Sequence, residues 1–197
     1  MDIGCLVLAA GEGKRFGMEK QYFAWRSKML WQISYNLAKN ISNDVVCVGL
    51  DIDGGKTRQE SVSSGLRLID NKRVVIIETV RPLVDEEDIK KLLDIDYPSI
   101  TYGLNIETPI FDKDKKEFIL PNRMSIVQNL QVFDTKLLKE AHQKTSIKEA
   151  PDDTIIMHDV HKIEPKIVQG DIKKLYKLTY KEDIDVLDAF AVQSRWN

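Results

Sequence analysis

Residues 3–22 read Ile-Gly-Cys-Leu-Val-Leu-Ala-Ala-Gly-Glu-Gly-Lys-Arg-Phe-Gly-Met-Glu-Lys-Gln-Tyr, a short apolar run that passes directly into a glycine-rich turn. An unbroken apolar run bounded by glycines predicts a strand buried on both faces. Gly11, Gly13 and Gly17 let the backbone turn tightly and bring N–H groups close to an anion, while Lys14, Arg15 and Lys20 add positive charge beside them. The turn therefore predicts a nucleotide or phosphate site at the carboxyl end of the first strand. Two better-known phosphate loops do not match. A dinucleotide fingerprint needs G-x-G-x-x-G and an acid about 20 residues later. This chain has G-x-G-x-x-x-G, and the acid ending its next strand, Asp51, comes too late. A Walker loop needs a hydroxyl after Gly-Lys to reach magnesium, and Gly13-Lys14 is followed by Arg15.

Outward from this stretch, strands and helices alternate. Residues 3–9 are the first strand. Leu30, Ile33, Leu37 and Ile41 recur at helical spacing and predict a helix over 29–40. Residues 44–50, containing Val-Val-Cys-Val-Gly, read as a second buried strand, and 51–56, with Gly54-Gly55, as a loop. Val62, Leu66 and Ile69 mark a helix, 73–77 a strand, and Asp85 with Asp88 a capping pair for a helix ending near Leu93. Further on come a helix from about Asp134 and a short one from about Asp152. A strand is expected over 175–178, then a last helix capped by Thr179 and Glu182 and ending near Phe190. The fold class is α/β: one domain over 1–197 with a mostly parallel, Rossmann-like sheet and helices on both faces. From Ser99 to Arg123 the texture changes, with an arm expected at about 103–123. Residues 106–111 and 117–120 flank a charged tip at 112–115 and predict a projecting β-arm. An isolated hairpin is marginal in water, so the arm is expected to pack against something, a second subunit being one candidate.

The 197 residues are 43% apolar and 30% charged, with a formal net charge of −2. Such a chain can build a proper core, and it has no basic excess to hold a nucleic-acid backbone. No apolar run approaches the ~20 residues that span a bilayer. The N-terminal run, lacking a positive leader, reads as a core strand rather than a signal peptide. Cys5 and Cys47 lie in apolar strands and read as buried thiols of a reduced, cytoplasmic protein.

A second segment, Gly54-Gly55-Lys56-Thr57-Arg58-Gln59-Glu60-Ser61-Val62-Ser63-Ser64-Gly65-Leu66, opens a helix on two glycines and could surround a polar ring edge with N–H and O–H groups. Together the two segments resemble the cytidylyltransferases that activate polyol phosphates with CTP, nearest the 2-C-methyl-D-erythritol 4-phosphate and ribitol 5-phosphate cytidylyltransferases. The matching elements run in the family's order over nearly the whole chain. They are Ala9-Ala10-Gly11-x-Gly13-x-Arg15, Lys20-Gln21-Tyr22, Gly54-Gly55-x-x-Arg58-x-x-Ser61-Val62-x-x-Gly65-Leu66, Arg81-Pro82, Arg123 and Lys177-Leu178-Thr179.

The resemblance implies a site map. The first loop (Ala9, Ala10, Gly11, Gly13) and Arg15 would hold the triphosphate, and Lys20 the reacting phosphates. Gly55 and Ser61 would read cytosine, and Lys177 would sit near the transferring phosphorus. Arg81 would line the substrate side. Thr108 and Arg123, on the arm, would bind the polyol phosphate in the active site of the partner in a homodimer. Mg²⁺ is the implied cofactor. Departures accompany the match. The segment 17–20 is short and Glu19 replaces a proline. The stretch before Gly54 lacks a helix and a strand. Glu78 stands where the metal-binding aspartate would be, one methylene longer. Asn129-Leu130-Gln131 replaces Thr-Pro-Gln, and Leu175-Tyr176 replaces Asn-Ile. Two functions therefore stand side by side: an active CTP-dependent transferase, which the retained Arg15, Lys20, Arg81 and Lys177 favour, and a non-catalytic nucleotide binder, which the altered metal loop favours. The acceptor choice, isoprenoid precursor or cell-surface polyol, is open on the residues alone. His158-x-x-His161 and Asp152-Asp153 read as helix-end features rather than metal ligands, and Trp25, Trp31 and Trp196 as core or dimer contacts.

Overall fold

The computed structural model describes residues 2–193, apart from the side chains of Asn122 and Gln193. The elements follow as β1 (Ile3–Leu8), β2 (Ala24–Trp25), β3 (Lys28–Met29), α1 (Leu30–Ile41), β4 (Asp44–Val48), α2 (Arg58–Leu66), β5 (Arg73–Glu78), α3 (Glu86–Leu93) and β6 (Ser99–Asn105). Then come the arm strands β7 (Ile110–Asp112) and β8 (Glu117–Ile119), β9 (Ser125–Asp134), α4 (Thr135–Lys144), α5 (Asp153–His161), β10 (Lys166–Gln169) and α6 (Asp183–Gln193). Six strands form one sheet in the order β10-β6-β9-β5-β1-β4. β1 pairs in parallel with β4 and β5, and β10 in parallel with β6; β9 alone runs antiparallel, between β5 and β6.

The two-residue period of a strand explains how one apolar run feeds two cores. From β1, Ile3, Cys5 and Val7 join Val75 and Ile77 of β5 against α1 and α3, with Ala38, Ile89 and Leu92. Leu6 joins Val74 and Ile76 on the other face, against α2, α4 and α5, with Val62, Leu66, Leu138, Ile156 and Met157. A third cluster of Phe16, Trp25, Leu30, Leu83, Leu178 and Leu187 seats α6 against the first loop. Trp25 is thus a core residue that also donates from Nε1 to Asp188, 2.7 Å away. Trp31 is half-buried against the first cluster; Trp196 lies outside the described residues. Cys5 and Cys47 are free, buried thiols, and burial pushes both up to about 12.

Several elements depart from the sequence reading. The expected strand over 175–178 is an irregular strap: Leu175 and Leu178 are buried three residues apart, a spacing no strand face can serve. Its hydrogen bonds go elsewhere, Leu178 N–H to Val80 and the Leu175 carbonyl to Arg81. The sixth sheet strand is instead β10, a short, largely exposed edge strand whose Lys-Ile-Val-Gln gives a weak signal. The last helix is not capped by Thr179 and Glu182. Asp183 accepts from the Thr179 and Tyr180 N–H groups at 2.6 and 2.7 Å and takes over that role. β9 was not anticipated; its bulge between Thr101 and Tyr102 of β6 and its antiparallel course put Asn129 beside the end of β5. The arm is present, and Phe111 stacks on Phe118 across it with centroids 5.0 Å apart. Among the described residues no helix is long and apolar enough to cross a membrane.

Candidate active site

The carboxyl ends of β1 and β5 and the amino end of α2 open onto one cleft of about 460 Å³. That is within the ~300–1,000 Å³ typical of small-molecule sites. Its wall on one side is the first glycine loop, with Ala10, Gly11, Gly13, Arg15 and Lys20; on the other it is the second, with Gly55, Lys56, Thr57, Arg58 and Ser61. Glu78 and Lys177 lie between them. The structure thus brings Arg15 and Ser61, 46 positions apart in the sequence numbering, to a single cavity.

Local chemistry explains each wall. Gly13 has φ +64, and a Cβ there would stand 1.8 Å from the Met18 carbonyl oxygen, so this position takes only glycine. Phe16 N–H and Gly17 N–H both donate back to the Gly13 carbonyl, and Phe16 is buried as the loop's anchor. Arg15 is exposed, with its guanidinium 5.8 Å from the Tyr180 ring centroid. The second loop is set by a cap: Thr57 accepts from the Glu60 N–H at 3.1 Å and starts α2. Ser61 Oγ accepts from Gly55 N–H at 3.0 Å and donates to the Thr57 carbonyl at 3.0 Å. Its hydroxyl hydrogen is therefore engaged within the loop, and toward a base it can only accept. Gly55 cannot carry a side chain, since a Cβ would fall 2.2 Å from Glu60 Cβ.

Below the cleft lies a buried charge layer. Glu78 Oε1 accepts from Arg58 Nε at 3.0 Å and from Asn129 Nδ2 at 2.7 Å. Glu78 Oε2 has Lys177 Nζ at 3.2 Å and Arg81 Nε at 3.8 Å but makes no hydrogen bond. Burial would push the Glu78 carboxyl up, but Lys177, Arg58 and Arg81 outweigh it and hold it below the usual carboxylate range. Lys20 donates to the Leu178 carbonyl at 3.1 Å. Burial, with Lys177 and Arg15 nearby, lowers it from the ordinary lysine value. Mutually repelling cations over one carboxylate form a site that a polyanion would relieve. As to magnesium, Glu78 Oε2, a buried carboxylate oxygen without a hydrogen bond, is a ligand that the cleft lining holds. One carboxylate joined by phosphate oxygens and water is a donor set this ion accepts. The residues fit a magnesium ion held chiefly by its substrate; among the described residues no cluster of three His, Cys, Asp or Glu could hold one alone.

Four residues assigned from the sequence lie outside the cleft lining. Ala9 is buried, its N–H bonded to the Val48 carbonyl at 2.8 Å. Arg81 is also buried, its Nη1 donating to Gln128 Oε1 at 2.7 Å and to the Leu175 carbonyl, so it supports the strap that carries Lys177. Thr108 and Arg123 are exposed on the arm. Arg58 and Asn129 carry no role in the sequence pattern, and only the fold shows that both hold Glu78.

A family model described as "IspD: 2-C-methyl-D-erythritol 4-phosphate cytidylyltransferase" matches residues 34–193. The chain belongs to the IspD family. Its members are named cytidylyltransferases, which makes this chain a nucleotidyltransferase. It is 30% identical to the 2-C-methyl-D-erythritol 4-phosphate cytidylyltransferase of Thermotoga neapolitana, over 92% of this chain and 93% of that protein. It is also 30% identical to the bifunctional enzyme IspD/IspF of Campylobacter jejuni, covering 95% of this chain but spanning only 54% of that protein. Among solved structures, the bifunctional IspDF from Campylobacter jejuni superposes with a TM-score of 0.81 at 24% identity, over 94% of this chain and 54% of that one. The 2-C-methyl-D-erythritol 4-phosphate cytidylyltransferase of Thermus thermophilus superposes at 0.78 and 20% identity, over 98% and 100%. Both show the shared fold.

The buried layer also makes a stability prediction for this IspD-family chain. Burial would raise the Asp153 carboxyl, but Arg58 and His142 hold it below its ordinary value. A carboxyl that titrates lower folded than unfolded contributes stability that is complete above the unfolded value of about 3.9 and is lost as pH falls through the lower folded value. Urea midpoints are therefore expected to hold from pH 7 to about pH 4 as far as this group is concerned, then fall. Asp153→Asn should flatten that acid limb, and an unchanged limb would contradict the assignment.

Proposed function

We propose that the protein transfers CMP from CTP to 2-C-methyl-D-erythritol 4-phosphate with release of pyrophosphate. The observation that carries this reading is the meeting of both glycine loops, with Lys20 and Lys177, in one cleft. The acceptor is taken from the names of the relatives at 30% identity. A phosphate oxygen of the acceptor attacks the α-phosphorus of CTP, the bond to the bridging oxygen of the β-phosphate breaks, and pyrophosphate leaves with that electron pair. No protein nucleophile is needed. The chain's part is to align two polyanions and offset their repulsion. Arg15 and the loop N–H groups grip the triphosphate, Lys20 and Lys177 face the charge that builds at the reacting phosphorus, and Gly55 and Ser61 meet the base. Glu78, together with the substrate phosphates, would hold a magnesium ion, which would supply further charge neutralisation.

The arm extends the proposal to a homodimer. Phe118 is 72% exposed and Leu120 58%. Burying them against a second copy would bring Thr108 and Arg123 to the partner's cleft, where they would hold the acceptor phosphate. Pyrophosphate release from CTP with 2-C-methyl-D-erythritol 4-phosphate, compared with ribitol 5-phosphate and with UTP as donor, tests the function directly. Release that needs both CTP and the erythritol phosphate is expected; no release with any acceptor would overturn it and leave the nucleotide-binder alternative. Inorganic triphosphate at a hundred times its Kd should stabilise the fold by about 2.7 kcal/mol, roughly 5–10 °C in Tm for a chain of this size. An unmoved Tm would show that the cations do not form an anion site.

A further inference from the structure

Behind the second loop runs a line of paired groups that crosses three helices. Arg58, the first residue of α2, donates from Nη1 to Asp153 Oδ2 at 2.6 Å and from Nε to Glu78 Oε1 at 3.0 Å. Asp153, the first residue of α5, is wholly buried, and His142 of α4 contacts its other oxygen, Oδ1, from Nε2 at 2.9 Å. A carboxylate only accepts, so His142 Nε2 carries the hydrogen. His142 is itself 3% exposed in its side chain. Arg58 adjoins the cap residue Thr57, whose carbonyl takes the Ser61 hydroxyl that in turn fixes Gly55. One guanidinium therefore ties the base-facing loop to Glu78, at the end of β5 and at the centre of the phosphate-facing cations.

A buried ion pair is a poor device for stability alone, because desolvation consumes most of what the attraction returns and apolar residues of similar volume often serve as well. A line of charges that begins under a helix pair and ends on the cleft wall has a use that apolar packing lacks: it fixes direction as well as contact. We infer that Asp153, steadied by His142, is a positioning residue that holds Arg58, and with it the second glycine loop, at a set distance from the phosphate-binding wall of the cleft. This rests on reading the cleft as a CTP site. Its effect falls on nucleotide binding rather than on the chemical step, since neither Asp153 nor His142 lines the cavity.

The experiment pairs Asp153→Asn, which keeps the shape and removes the charge, with His142→Phe, which keeps bulk and removes the donor. Asp153→Asn is expected to raise KM for CTP about tenfold, the weight of one hydrogen bond to a charged group, with kcat within about twofold and KM for the acceptor unchanged. His142→Phe should move KM for CTP the same way by a smaller factor. Amide hydrogen exchange over residues 55–61 should quicken in both variants while β4 keeps its protection. That measurement needs no substrate. Quickened exchange in variants of a protein that ignores CTP would sink the CTP reading and leave the clamp standing. Unchanged exchange and unchanged KM for CTP, or a loss shared equally by both substrates, would overturn the clamp even where wild-type turnover is intact.

Discussion

Lys177→Ala is expected to lower kcat for pyrophosphate release by about 10²–10³, roughly 3–4 kcal/mol of lost transition-state stabilisation, while Tm moves little. Lys177 is half-buried, with its ammonium 3.2 Å from Glu78 and on the cleft wall. It is carried by a strap pinned on several sides: Leu178 N–H to Val80 at 2.9 Å, Lys20 to the Leu178 carbonyl at 3.1 Å, Arg81 to the Leu175 carbonyl, and Lys174 to Asp85 and Asp88. None of those bonds uses the Lys177 side chain, and Glu78 keeps Arg58 and Arg81 as neighbours after the change. The charge vanishes and the scaffold remains. Lys20→Ala should fall in the same range, and the double variant should lose less than the product of the two, because both cations act on one charge centre. Near-normal turnover in either single variant would remove that lysine from the mechanism.

Gly13→Ala should be as damaging by a different route. The residue sits at φ +64, where a side chain costs about 1–2 kcal/mol. The added methyl would lie 1.8 Å from the Met18 carbonyl oxygen and 3.1 Å from the Lys20 nitrogen. That oxygen belongs to the backbone, so the turn itself must shift and carries Arg15 and Lys20 with it. A displacement near 1 Å in a positioned group costs about 10²-fold in rate, and kcat/KM for CTP is expected to fall by at least about that much. The sheet does not depend on the turn, so circular dichroism should be unchanged. A Gly13→Ala protein with wild-type kcat/KM would show that the tight turn is not what presents the cations.

The elements that were legible in advance are those whose signal is local. The apolar run of β1, the helical spacing of α1, the Asp85–Asp88 cap of α3 and the arm all follow from side-chain period, capping chemistry and turn residues within a few positions. The elements that were missed depend on distant partners. β10 is a weak edge strand that forms because β6 offers it a free edge, and β9 runs antiparallel because it fills the gap between β5 and β6. Residues 175–178 look like a strand until their hydrogen-bond partners, Val80 and Arg81, are known.

The site divides along the same line. Two glycine loops, their cations and their kinship to cytidylyltransferases could be read from the chain, because a tight turn next to a positive side chain is encoded within a few residues. Which charges pair could not. Glu78 reads as a metal ligand in the place of an aspartate, and only folding surrounds it with Arg58, Asn129, Arg81 and Lys177; Arg81 reads as a substrate ligand, and only folding buries it under the strap. Backbone conformation is set by neighbours in sequence, whereas the partner and the protonation of a buried charge are set by whatever the sheet and helices bring within about 4 Å, where desolvation and the neighbouring charges are weighed against each other.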